Sequence, residues 1–159
     1  MVEPEIIARF ANFSDFTDDE IKAMAILSSE ERYEPGQFIF YEGDEANKMY
    51  LLLQGHVEMM LNTDAMGAQR EVVMTVQPNE IFGWSSLVEP YKLTASARCA
   101  TPVRAIGIAA PGLRALMAVS CALGFRLLQR ACQASSARLS ATRLQLLSTV
   151  HPQPARETA

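Results

Sequence analysis

The chain has 159 residues, 49% of them apolar, and a formal net charge of −4, which is enough for one domain with its own core. An acidic balance gives no basic field to hold a polyanion, so nucleic-acid binding by this chain alone is set aside. No apolar run approaches a membrane span, and the opening MVEPEIIARF carries acids where a secretory signal is basic, so a cytoplasmic protein is expected.

In chain order, Pro4 suits the first turn of a short helix over residues 4–10, and Asn12 to Asp15 breaks the pattern. Thr17-Asp18-Asp19-Glu20 places a hydroxyl three residues ahead of a glutamate, the capping-box arrangement, and predicts a helix over 17–27 with Ile21, Met24 and Ala25 on its inner side. Short strand-like runs follow over 30–34, 37–41, 49–53 and 56–61, separated by Pro35-Gly36, Glu42-Gly43-Asp44 and Gln54-Gly55. Asn62 to Ala68 is small and polar and reads as a hairpin tip, after which Arg70 to Val76 resumes β-branched character. Regular turns between short strands point to an antiparallel sandwich or roll.

The stretch from Ile81 to Cys99 changes character twice. Phe82-Gly83 leads into Trp84-Ser85-Ser86-Leu87-Val88, a short helical turn that Pro90 ends. A tight turn entering a helix presents backbone N–H groups without intrahelical partners and can hold an anion. From Lys92 the residues alternate, with Leu93, Ala95, Ala97 and Cys99 on one parity and Lys92, Thr94, Ser96 and Arg98 on the other, so a half-buried strand is expected from Lys92 onward. Val103 to Ile108 reads as a last strand. Pro111 opens a helix with Leu113, Leu116 and Met117 on one face.

Ser120 to Thr149 contains no proline and is rich in Ala, Leu, Arg and Gln, predicting a helix of roughly 25 residues. Leu128, Cys132, Ser135, Leu139, Thr142 and Leu146 recur along it at alternating steps of four and three, the coiled-coil period. That stripe either pairs two copies of the chain or packs on the chain's own roll. Arg104, Arg126, Arg130, Arg138 and Arg143 read as solvated or dipole-compensating. Residues 151–159 read as a frayed tail.

The order Pro35-Gly36 with Phe38-Ile39, Glu42-Gly43-Asp44, Tyr50-Leu51-Leu52-Leu53, Gly55 with Val57, and then Phe82-Gly83 resembles the cyclic-nucleotide-binding domains of catabolite-activator-type bacterial regulators and kinase regulatory subunits. The resemblance covers about residues 15–150 and implies an α+β, mainly β fold. That fold is an antiparallel β-roll or jelly roll (residues 29–108), with an N-terminal helical segment (1–28) and C-terminal helices (109–150) that lie over the ligand and pair subunits. It implies a non-enzymatic sensor without a helix-turn-helix output domain, and a ligand that is a cyclic nucleotide or another small anion. The candidate cassette is Phe82, Gly83, Trp84, Ser85, Ser86, Lys92, Leu93, Thr94 and Ala95, and the candidate lid and dimer residues are Leu128, Ser135, Leu139, Thr142 and Leu146.

In that family an acid after the glycine accepts the ribose hydroxyl and an arginine near the strand's start clamps the phosphate; the matching positions here are Trp84 and Leu93. Neither can do that work. Losing one partner of a buried charge pair costs about 2–5 kcal/mol, or roughly thirty- to several-thousand-fold in affinity. Ordinary cyclic AMP sensing is therefore not expected. Trp84 either plugs the emptied cradle or offers a ring to stack on. Lys92 either is a solvated lysine or supplies a replacement charge, although the pleat turns it away from the Leu93 face.

Cys99, Cys121 and Cys132 have no metal-knuckle spacing and read as buried, reduced thiols, and no cofactor is indicated. No phosphate loop, nucleophile elbow or metal-ligand helix motif appears. Two functions stay open: a small-molecule sensor acting through its long helix, and a ligand-free dimeric module that regulates a partner protein.

Overall fold

Turns with a left-handed residue cut the middle of the chain into strands, and the sharpest is at Gly55. Its φ is +90°, and a Cβ there would stand 2.2 Å from the Pro102 carbonyl oxygen, so no other residue fits. In the computed structural model, which describes residues 1–151, the strands are β1 (Ser28–Tyr33), β2 (Phe38–Phe40), β3 (Lys48–Gln54), β4 (Val57–Asn62), β5 (Arg70–Val76), β6 (Ile81–Phe82), β7 (Ser96–Cys99) and β8 (Val103–Ala109). The helices are α1 (Pro4–Ala8), α2 (Asp18–Ile26), α3 (Ala110–Val119) and α4 (Cys121–Val150). Of the expected tail, all but His151 lies outside the described residues.

The strands form two four-stranded antiparallel sheets, ordered β1-β8-β3-β6 and β2-β7-β4-β5, the jelly roll that the turn spacing predicts. Phe40, Tyr50, Leu52, Val57, Phe82 and Ala97 fill the space between them. The alternate residues of β3 and β8, Met49, Leu51, Ile106 and Ile108, face the other way into a second core with Phe10, Phe13, Met24, Leu113, Leu123 and Leu127. Burial on both faces is why Tyr50-Leu51-Leu52-Leu53 is a continuous apolar run rather than an alternating one.

The helix ends form as their residues dictate. Thr17 accepts from the Glu20 N–H while the Glu20 carboxylate accepts from the Thr17 N–H, closing the predicted capping box. Pro111 lies in the first turn of α3, and the Ser120 hydroxyl accepts from the Leu123 N–H at 3.3 Å to start α4. α4 runs 30 residues, somewhat beyond expectation.

Three expectations need correcting. The segment from Asn12 is not a plain break, because Ala11–Phe13 winds a 3₁₀ turn that buries Phe13. Only Ser96–Cys99 is strand in the stretch after Lys92; Leu93, Ala95, Ala97 and Cys99 are buried as the parity requires, but Ser96 is buried too. Its hydroxyl accepts from the Glu42 N–H at 2.8 Å, which satisfies it inside. Of the three cysteines Cys99 alone is buried, with its thiol pushed up to about 11 by burial, while Cys121 and Cys132 are exposed on α4.

Candidate ligand site between the cassette and the long helix

Gly83 sets the cassette's geometry. Its φ of +80° admits the turn into the 3₁₀ helix Trp84–Leu87, and a Cβ would stand 3.0 Å from the Lys48 carbonyl oxygen of β3. Phe82 stacks on Tyr50 with ring centroids 5.1 Å apart, which fastens the cassette's entry to the inter-sheet core. Its exit is held from α3: Arg114 donates to the Ser86 carbonyl at 2.7 Å, with its guanidinium carbon 4.1 Å from the centre of the Tyr91 ring. The Ser86 hydroxyl is wholly buried and has no partner among the described residues.

The cradle proper is lined by Gly83, Ser85, Leu93, Thr94, Ala95 and Phe40, and its free volume is only about 10 Å³, room for about one water at most. Trp84 borders it but packs on the other side, in the core with Phe13, Leu87, Leu123 and Leu127. Its indole is buried, and its N–H donates to the Ile81 carbonyl at 3.2 Å, so the ring's one polar atom is already paired. Leu93 brings no charge, and Lys92 is exposed on the outer side.

Two larger openings flank Trp84. One, about 400 Å³, lies between β5, β6 and α4, with Met74, Val76, Ile81, Phe82, Ala137 and Ala141 among its lining. The other, about 230 Å³, lies outside the cassette between Ser85, Glu89, Lys92 and Thr94 on one wall and Ala131, Ser135 and Arg138 on the other. Arg138 reaches the cradle and both openings. Its Nε is out of water and has no partner among the described residues, and burial pushes the guanidinium below its ordinary value.

This position was missed from sequence, where Arg126, Arg130 and Arg138 alike read as solvated. Arg126 instead pairs with Glu20 and lies over Phe16, and Arg130 donates to Asp15 and to the Asn12 carbonyl. The signal was available: Leu123, Leu127, Ala131 and Ala134 form the stripe that faces the domain, and four residues further on it reaches Arg138. The predicted stripe of Leu128, Cys132, Ser135, Leu139, Thr142 and Leu146 is a different one. All six are exposed, about a quarter-turn round the helix, so packing of this stripe on the chain's own roll is overturned. Ser135 alone of them borders the outer groove; the Thr142 hydroxyl donates back to the Arg138 carbonyl at 2.9 Å.

Residues 30–120 match the cyclic nucleotide-binding domain family. A solved protein from Geobacter metallireducens, provisionally called cyclic nucleotide-binding, is 36% identical with a TM-score of 0.78, and the match covers 87% of this chain and 99% of that one. The CRP-like cAMP-activated global transcriptional regulator of Mycobacterium tuberculosis is 26% identical over 114 residues, 72% of this chain and 50% of the relative. This chain thus spans about half the length of that curated relative. The c-di-GMP responsive global regulator of Xanthomonas campestris shares the fold at 21% identity and a TM-score of 0.71, over 86% of this chain and 66% of that one. A match across the roll, the cassette and α3, and a relative alike over nearly its whole length, show that the chain belongs to the cyclic nucleotide-binding domain family.

Proposed function

We propose that this domain is a small-molecule sensor with a degenerate phosphate-binding cassette. Its ligand is not cyclic AMP held in the family's manner, and α4 carries its signal. The observation that supports this most directly is the cradle itself: about 10 Å³ remain beside Gly83, with Leu93 where the resemblance expects a cation. A cyclic phosphate has no room there, and the cation that borders the cradle, Arg138, comes from α4 and not from the strand. Binding is instead assigned to the openings that α4 shares with the cassette, so occupancy acts on the helix directly.

The working unit we propose is a homodimer through α4. Leu128, Leu139 and Leu146 are exposed at coiled-coil spacing, and a stripe of that period is complementary to a second copy of itself. No helix among the described residues is long and apolar enough to cross a membrane, and three free cysteines, two of them exposed, suit a reducing compartment such as the cytoplasm.

Cyclic AMP titrated against the purified chain, followed by calorimetry, gives no saturation in the micromolar range. A thermal-shift screen of nucleotides and small anions finds a compound that, at a hundred times its dissociation constant, stabilises by about 2.7 kcal/mol. Tight, saturable uptake of cyclic AMP overturns the proposal. The narrow cradle also favours a second reading, a ligand-free dimeric module that regulates a partner protein. A dimer that no compound in the screen stabilises is the result that selects it.

A further inference from the structure

We infer that a phosphate-type oxyanion, free or as the head of a phosphomonoester, binds outside the cradle, in the groove between Ser85, Lys92 and Thr94 of the cassette and Ser135 and Arg138 of α4, with Arg138 as its main cation. This rests on the sensor reading and names the ligand class for it.

The arginines of the chain supply the argument by contrast. Arg32 and Arg104 pair with Glu30, Arg98 with Glu58, Arg126 with Glu20 and Arg130 with Asp15. Arg70 lies over the rings of Phe38 and Tyr41, and Arg114 over that of Tyr91. Arg138 is half-buried, its Nε is out of water without a hydrogen-bond partner, and it forms no ion pair among the described residues. A guanidinium cannot shed its charge in a protein, and burying a charge without a partner is strongly unfavourable. The position makes physical sense when an oxyanion completes it, since a planar fork of donors is matched to phosphate.

The groove's own make-up sets the ligand class. Lys92 adds a second positive charge at its mouth, and the hydroxyls of Ser85, Thr94 and Ser135 can donate to oxygens whose charge Arg138 balances. Glu89 also borders the groove and carries the opposite sign, but it is exposed and forms no ion pair with Lys92 or Arg138. A volume of about 230 Å³ is below the roughly 300–1,000 Å³ of pockets that enclose whole organic ligands, so it suits a headgroup. The organic part of an ester has somewhere to go, because the larger opening shares Trp84, Ala134 and Arg138 with the groove and its remaining wall is mostly apolar. The resemblance places the clasping cation on the sheet; here it is on the helix.

The test uses the full chain and two probes, inorganic phosphate and 5′-AMP, titrated at constant ionic strength against chloride. Trp84, the chain's single tryptophan, borders the groove and reports by its fluorescence, with the thermal midpoint as a second reading. At least one probe saturates; Arg138→Gln weakens it about ten-fold or more, Lys92→Gln by a smaller factor, and Arg143→Gln, exposed on the same helix, leaves it unchanged. Arg138→Gln has a midpoint no lower than wild type without ligand, so lost binding is not lost folding. The inference fails if neither probe saturates, if chloride alone gives the same response, or if Arg138→Gln binds as wild type does. Nucleotide binding that survives Arg138→Gln keeps the sensor reading and removes this one. Phosphate bound through Arg138 with no response to any nucleotide supports this site and narrows the sensor to a simple anion.

Discussion

From Cys121 to Ala131, α4 is part of the domain. Leu123, Leu127 and Ala131 are buried, Arg126 holds Glu20, and Arg130 holds Asp15. From Cys132 to Val150 the same helix has no buried residue, and Ala134 and Arg138 are its only half-buried ones. A continuous backbone therefore joins a segment fixed by packing to one that touches the domain only around Ala134 and Arg138. A helix anchored at one end and unpartnered at the other is suited to transmit a small change at the cassette over a long distance, because it moves as a rigid element about its fixed end.

The sharpest way to break that contrast is one substitution made in both halves. Leu127 is fully buried and Leu147 is 57% exposed. Leu127→Ala removes core contacts and leaves a cavity, and should lower unfolding stability by about 2–5 kcal/mol in urea titrations. Leu147→Ala should stay within about 0.5 kcal/mol of wild type. Equal losses at the two positions would mean that the distal half is folded onto the domain after all.

Glu20→Ala comes next in size. It opens the capping box of α2 and leaves Arg126 with only the Phe16 ring, 4.8 Å from its guanidinium carbon. Both side chains of the pair are largely shielded, at 20% and 16% exposure, so about 2–3 kcal/mol should be lost in the same titration. Arg126→Gln combined with Glu20→Ala should lose less than the sum of the two single changes, and strict additivity would show that the pair does not anchor α4.

The sequence conveyed the roll well because each of its signals is local. A left-handed glycine such as Gly55, the Thr17–Glu20 box and the parity of Leu93 through Cys99 each constrain their own few residues, and all agree. What sequence did not convey was which side of α4 meets the domain. Two stripes run along it, a quarter-turn apart, and the one with coiled-coil spacing is the one left exposed. Choosing between them needs the position of the helix against α3 and the Trp84–Leu87 turn, which no periodicity contains. Arg138 was lost with that choice, since a charged residue at the end of the buried stripe looks like surface when the other stripe is taken as the inner one. Ser96 was misplaced for a related reason: its inward turn is decided by the Glu42 N–H, far away in the chain.

Arg138 also gives a stability prediction of opposite sign. An unpaired guanidinium with its Nε out of water lowers stability. Replacing it by an apolar residue, Arg138→Leu, should raise stability by about 1 kcal/mol, seen as a thermal midpoint a few degrees higher without ligand. A lower midpoint would show that the arginine contributes to the fold through its stem rather than waiting for a partner.

The smallest effect on folding should come from the exposed stripe, where it carries the most information about assembly. Leu139 and Leu146 are 57% and 64% exposed, so Leu139→Asp with Leu146→Asp should change monomer stability by no more than about 0.5 kcal/mol per site. In a paired helix the same two carboxylates would face their symmetry mates across an apolar seam, where like charges are strongly unfavourable. Sedimentation should therefore show the wild type as a dimer and the double variant as a monomer with unchanged circular dichroism. If the mass does not change between the two, the leucines are not the seam, and the distal half of α4 answers to the groove at Arg138 alone.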